Sequence, residues 1–186
     1  RNILTIYRED KDLKNTNRTF DNILDSKFNH VSDNVVGTST THNNSTDAAD
    51  AGTLTISAGR LNVGTVIKIM SFGTLTSTNA SDELTAILNL THGSTTVALA
   101  TAAALDVADN DVVQADSEIH ILSATTFAAI SKIHTDANGG TIVRKYTAST
   151  AIDTTVDLVL TMNVDWNAAN AANQYTHLVH TAQIFG

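Results

Sequence analysis

Residues 154–166 read TTVDLVLTMNVDW, and their spacing decides the fold class. Val156, Leu158, Leu160, Met162, Val164 and Trp166 fall on alternate positions, with Asp157, Thr161, Asn163 and Asp165 between them. Successive side chains of a strand point to opposite faces, so this pattern predicts a half-buried antiparallel strand. The same grammar, punctuated by Gly, Asn, Asp and Ser, runs outward in both directions. It predicts strands near 53–57, 64–72, 83–91, 94–101, 117–123, 125–134, 140–147, 155–165 and 174–185. Only VALATAAALDVA at 97–108 also suits a turn of helix. Eight or nine strands with no long helix between them imply an all-β fold: a two-layer antiparallel β-sandwich of jelly-roll type. The 29 threonines agree, because a β-branched hydroxyl side chain fits a pleated, half-wet surface.

The 186 residues suit one domain with an appended arm. Residues 1–36 hold six Lys/Arg and six Asp/Glu, so the −8 of the whole chain resides in residues 37–186. Within this arm Phe20, Ile23, Leu24 and Phe28 recur at helical spacing, and Thr19 could cap a short helix. Such a face either packs on its own domain or anchors the arm to a neighbouring subunit. Residues 37–52, GTSTTHNNSTDAADAG, offer almost nothing to bury and read as a linker. The sandwich domain is then 53–186.

The acidic body offers only Arg60, Lys68, Lys132, Arg144 and Lys145 to phosphates, which argues against nucleic acid, and the balanced arm is no genome-packaging arm. With no cysteine, neither a disulfide nor a thiolate nucleophile is available. No basic stretch followed by a long apolar run suggests a signal peptide or a membrane span, although a chain starting at Arg1 leaves N-terminal processing open. No proline is present to protect edge strands, so the arm, partners or surface charge must cover them.

Candidate chemistry is sparse. Asp106, Asp109, Asp111, Asp116 and Glu118 read as a solvated acidic cluster in a loop leading into a strand, with Asp106, Asp109 and Asp111 as weak calcium candidates that miss the EF-hand spacing. His177 and His180, three apart on a strand, should point to opposite faces and so could not chelate one ion. His120 beside Glu118, and His134 beside Asp136, suit hydrogen bonding at a surface or interface. No Gly-x-Ser-x-Gly elbow or phosphate loop occurs, so no catalytic residue, metal or cofactor is expected. Asp136-Ala137-Asn138-Gly139-Gly140 reads as a hairpin turn. Trp166 should plug one end of the core, whereas Tyr146 and Tyr175 are the aromatics that could stand beside loop carboxylates and bind a sugar.

The segment TLTISAGRLNVGTVIKIMSFGTLTS, with Leu61, Val63, Gly64, Val66, Ile67, Ile69 and Gly73, together with the closing VDLVLTMNVDWNAANAANQYTHLVHTAQI, resembles structural proteins of tailed phages and other viruses. The resemblance covers residues 53–185 and is one of strands and turns. It implies a jelly-roll capsid, decoration, fibre, spike or tail component in the virion, a homo-oligomer with other virion proteins as partners and no catalytic residue. A secreted carbohydrate-binding or adhesive module, extracellular and directed at a host glycan, shares that grammar. A lyase or hydrolase on a β scaffold would need paired carboxylates or a histidine in a cleft.

Overall fold

A computed structural model of the chain describes residues 33–39, 41–43, 45, 47–77, 81–107, 111–137 and 140–186. The elements are β1 (Asp33–Val36), β2 (Thr38–Ser39), β3 (Thr41–Asn43), β4 (Ala49–Ile56), a 3-10 turn (Ala58–Arg60), β5 (Val66–Thr76), β6 (Glu83–His92), β7 (Thr95–Asp106), β8 (Asp111–Ser123), β9 (Thr126–Thr135), β10 (Thr141–Ala151), β11 (Leu158–Trp166) and β12 (Gln174–Phe185). They form two antiparallel sheets packed as a sandwich. The larger has the order β1-β12-β5-β8-β9-β10, with β3 also on β12, and the smaller has β2-β4-β11-β6-β7.

The pairing is nested from the outside in. β1 pairs β12, β4 pairs β11, β5 pairs β8 and β6 pairs β7, the winding of a jelly roll. The hairpin β9–β10 lies outside this nest and extends the larger sheet beyond β8.

On β11 the alternation does what the sequence demands: Leu158, Leu160, Met162, Val164 and Trp166 are buried in the core shared by the two sheets. Its start moves from 155 to Leu158 because Asp153 Oδ1 accepts from Thr155 N at 2.9 Å and from Thr155 Oγ1 at 2.6 Å, holding a turn. These bonds, the hydroxyl's first, keep the Asp153 carboxyl below the usual aspartate range. Trp166 is 1% exposed and belongs to the core. The ambiguous 97–108 stretch is mostly strand, and its register breaks between Leu84 and Ala86 of β6, opposite which Ala104 takes a positive φ of 53°.

Three expectations change. The stretch 37–52 is not simply a linker: β2, β3 and the first residues of β4 within it pair into the sheets, and β1 takes the end of the expected arm. The acidic loop is shorter than expected, for Asp106 ends β7 and the strand expected from 117 already opens at Asp111 as β8, so that Asp116 as well as Glu118 stands on its outward positions. Small Ala115 and Ser117 fill the inward positions there, which is why the alternation is faint in the sequence. The arm residues Phe20, Ile23, Leu24 and Phe28 and the loop residue Asp109 lie outside the described residues.

β10 and β7, the last strands of their sheets, lie on the same side of the sandwich. Lys145 spans them, donating from Nζ to the Ala98 carbonyl at 2.6 Å, so a cation occupies the seam between two open edges.

Candidate functional site

The outward positions of β12, β5, β8, β9 and β10 build one continuous face. Cross-strand register arranges its residues in rows: Gln183–Lys68–Glu118–Ile130–Tyr146, then Thr181–Met70–Asp116–Lys132–Arg144, then Val179–Phe72–Gln114–His134–Ile142. Side chains directly opposite each other across strands are within contact reach, so each row is a line of neighbours.

Charge pairs knit the middle of the face. Glu118 takes Lys68 Nζ at 3.4 Å and His120 Nε2 at 2.7 Å. Asp116 takes Lys132 Nζ at 3.2 Å and Gln114 Nε2 at 2.9 Å. The His120 hydrogen bond, ahead of the Lys68 charge, holds the Glu118 carboxyl below the usual glutamate range. These groups are half exposed, so Glu118→Gln is expected to lower stability by less than about 1 kcal/mol. Urea melts at low and high salt check this; a loss near that of a core truncation would mean that the carboxylate is structural. Arg144 has no ion-pair or hydrogen-bond partner among the described residues.

Around these pairs stands apolar surface. Of the seven large apolar side chains left exposed among the described residues, four stand in these rows: Met70, Ile130, Ile142 and Tyr146. Ile130 is 67% exposed and Tyr146 68%. A depression of about 450 Å³ opens between them and β12, bounded by Lys68, Met70, Glu118, Ile130, Arg144 and Gln183. Ile130, Ile142, Tyr146, Arg144 and Lys132 all come from the β9–β10 hairpin that the jelly-roll winding does not require. The opposite outer face, on the smaller sheet, carries Thr53, Thr55, Thr85, Asn89, Thr161 and Asn163, with half-buried Val159 and Ile87 among them.

Of the two tyrosines expected at a ligand, Tyr146 stands on the open face and Tyr175 does not. Tyr175 is fully buried, its ring over Gly73, where a Cβ would come within 2.5 Å of the phenol oxygen. Burial pushes its hydroxyl well above the usual tyrosine range. It cannot stack on a sugar.

His177 and His180 also depart from expectation. A bulge at Leu178 breaks the register between His177 and Val179, so the odd spacing brings both rings to the inner face, 5.5 Å apart and edge to face. The rings fit because Gly52 and Gly37 stand where a Cβ would strike them. His177 Nε2 lies 2.7 Å from the Val179 carbonyl, so the N–H donates there, and Tyr175 Oη sits 3.4 Å from Nδ1. Ser71 Oγ is 3.4 Å from the same Nε2. A nitrogen that already donates cannot take the serine proton, and the group is buried, so this Ser–His pair is not arranged as a nucleophile and base. His180 donates from Nε2 to the Leu160 carbonyl at 3.1 Å, while its buried Nδ1 and His42 Nε2 have no partner among the described residues. Burial lowers the pKa of His177 and brings that of His180 down to about 4. The bulge was not readable from residue spacing.

Among the described residues no group of three or more His, Asp or Glu could hold a metal ion, and no helix is long and apolar enough to cross a membrane.

No family model matches this chain, and no curated protein matches it. Among solved structures, the metal-free lectin I-B4 from Griffonia simplicifolia is similar at 7% identity and a TM-score of 0.37, over 86% of this chain and 95% of the lectin. The polysaccharide lyase family 18 protein aly-SJ02 is similar at 10% identity and a TM-score of 0.33, over 81% of this chain and 87% of the lyase. At these scores neither neighbour says what this chain binds or does.

Proposed function

We propose that this chain is a non-enzymatic structural component of a virus particle, working as a homo-oligomer whose subunits meet through the outer face of the larger sheet. One observation carries the reading: exposed Ile130, Ile142, Tyr146 and Met70 are gathered on a single face, while among the described residues the opposite face exposes no large apolar side chain and keeps Val159 and Ile87 half-buried. Exposed β-branched aliphatics gain from burial against protein and little from a sugar. Tyr, Met and Arg are also the side chains enriched in protein interfaces. The particle itself rests on the strand-and-turn resemblance of residues 53–185 to phage and viral structural proteins.

The mass of the full chain in solution tests this. Light scattering is expected to give a discrete oligomer, and Ile130→Asp, a change at an exposed site, is expected to shift it toward the monomer. A wild-type monomer contradicts self-assembly, and an oligomer indifferent to Ile130→Asp contradicts this face.

A glycan-binding reading has its own observation: Tyr146 is exposed two residues from the unpaired Arg144 on the same strand face. It requires glycan-array binding that is lost in Tyr146→Ala.

A further inference from the structure

We infer that residues 33–39 and 41–43 form an acid-released strap: they close one side of the sandwich over His177 and His180, and protonation of that pair frees them while the other strands stay paired.

The strap crosses between the sheets twice. β1 lies on β12 in the larger sheet, β2 on β4 in the smaller one, and β3 on β12 again. Gly37 makes the first crossing, its N–H donating to the His180 carbonyl at 2.7 Å. The three strands are only four, two and three residues long, against 12 for the β12 strand that carries them. Short edge strands with so little backbone pairing open at the lowest free energy in a fold.

The two rings lie directly behind this strap and the β4 strand it joins. A Cβ at Gly37 would come within 2.8 Å of His180 Cδ2, and one at Gly52 within 2.7 Å of both His177 ring nitrogens. The titratable groups around the rings are Tyr175 on β12 itself and His42 on β3, buried opposite Tyr175. β5 presents Ser71, β11 the Leu160 carbonyl, and β4 the backbone of Gly52. Asp50 of β4 is exposed and accepts from Asn163 Nδ2 at 3.0 Å, on the outer face of the smaller sheet. Among the described residues, then, no carboxylate stands ready to receive a charged ring.

Protonation is costly here for a local reason. His180 Nε2 already donates to Leu160, and its buried Nδ1 has no partner among the described residues, so an added proton makes a cationic N–H with nothing to accept it. On His177 the added proton goes to Nδ1, which has only the Tyr175 hydroxyl at 3.4 Å. Protonating both sets two like charges in rings 5.5 Å apart. Lifting the strap admits water to His180 without separating β12 from β5. With the strap off, the ring returns to the ordinary histidine pKa of 6.5, whereas under the strap burial holds it down to about 4. Acid below 6.5 therefore favours the open form, the more so as pH falls toward 4. Once freed, the strap leaves the backbone of β12 and β4 open to a strand of another chain.

Amide hydrogen exchange of the full chain, read as protection factors at each pH, tests the inference. Between about pH 7.5 and 5 the protection of residues 33–43 is expected to fall at least about tenfold, while that of β11 holds. His180→Gln, which can still donate to the Leu160 carbonyl but takes no charge, should cancel most of the fall. His177→Gln should lessen it, and reads the same effect if the first variant does not fold. Residues 33–43 unprotected already at pH 7.5, or equally protected at both pH values, overturn the inference. So does a fall shared by β11, which is unfolding of the whole domain, and a fall kept in full by the glutamine variants, which places the trigger elsewhere.

Discussion

Gly52→Ala is expected to lower the stability of this protein by about 2–3 kcal/mol, although it adds a single methyl group. For a domain of this size that is a fall of roughly 4–12 °C in Tm. Gly52 lies on β4 of the smaller sheet and the His177 ring reaches it from β12 of the larger one, so close that a Cβ would overlap the ring, with both ring nitrogens at 2.7 Å. The ring cannot withdraw, because Nε2 is held by the Val179 carbonyl at 2.7 Å and the bulge at Leu178 fixes its backbone. The clash is thus one pair's, and the pair can be tested. In a His177→Ala background Gly52→Ala should cost close to nothing, giving a coupling of about 2 kcal/mol or more in the double-mutant cycle. Additive costs in urea melts would show that Gly52 is needed for its backbone and not for the space above it.

Stability is expected to fall as pH drops from about 6.5 to 5, before the carboxylates contribute. The sign follows from burial. His177 and His180 bind protons less readily in the folded chain than in the unfolded one, because burial disfavours the charged ring, so acid favours the unfolded state. Above the ordinary histidine pKa of 6.5 both states hold neutral rings and the effect vanishes; it grows as pH falls toward about 4, where His180 itself takes a proton. Among the described residues the groups facing these rings are each other, Tyr175 and Ser71, none of them a carboxylate that would offset the added charge. His180 alone contributes on the order of 3 kcal/mol over the full window. Glu118 and Asp153 act lower: their depressed pKa values add stability above the ordinary carboxylate range that is lost only as pH falls below it. Urea midpoints between pH 7.5 and 5 should therefore decline, and decline less steeply in His180→Gln. A flat profile, or an unchanged slope in that variant, would mean that the rings are protonated without cost.

The sandwich was legible in the sequence because its strongest strands alternate cleanly, as Leu158 to Trp166 do. What escaped had physical reasons. The edge strands β1 to β3 are two to four residues long, too short for a period to register, and β2 and β3 sit in a stretch of Thr, Ser and Asn that reads as a linker. The beginning of β8 hides its inward face behind Ala115 and Ser117. Tyr175 and the two histidines were misplaced because one bulge reverses side-chain direction, and because glycines on facing strands open space that no local pattern reveals. The candidate site was half legible. Tyr146 was singled out, but Ile130, Ile142, Met70 and Arg144 join it only through register across five strands.

The coverage of that face in solution is the point on which the account turns, and the absence of native cysteine makes it measurable. Ile142 and Val63 are both well exposed in the single chain, at 53% and 66%, the first in the rows of the face and the second in the turn before β5, outside those rows. Maleimide labelling of Ile142→Cys and Val63→Cys in the full-length protein should proceed at least about tenfold more slowly at 142, as expected of a thiol that reacts only when its cover opens. Equal rates at the two positions would mean that the face is open to water, and the assembly reading would fail with it.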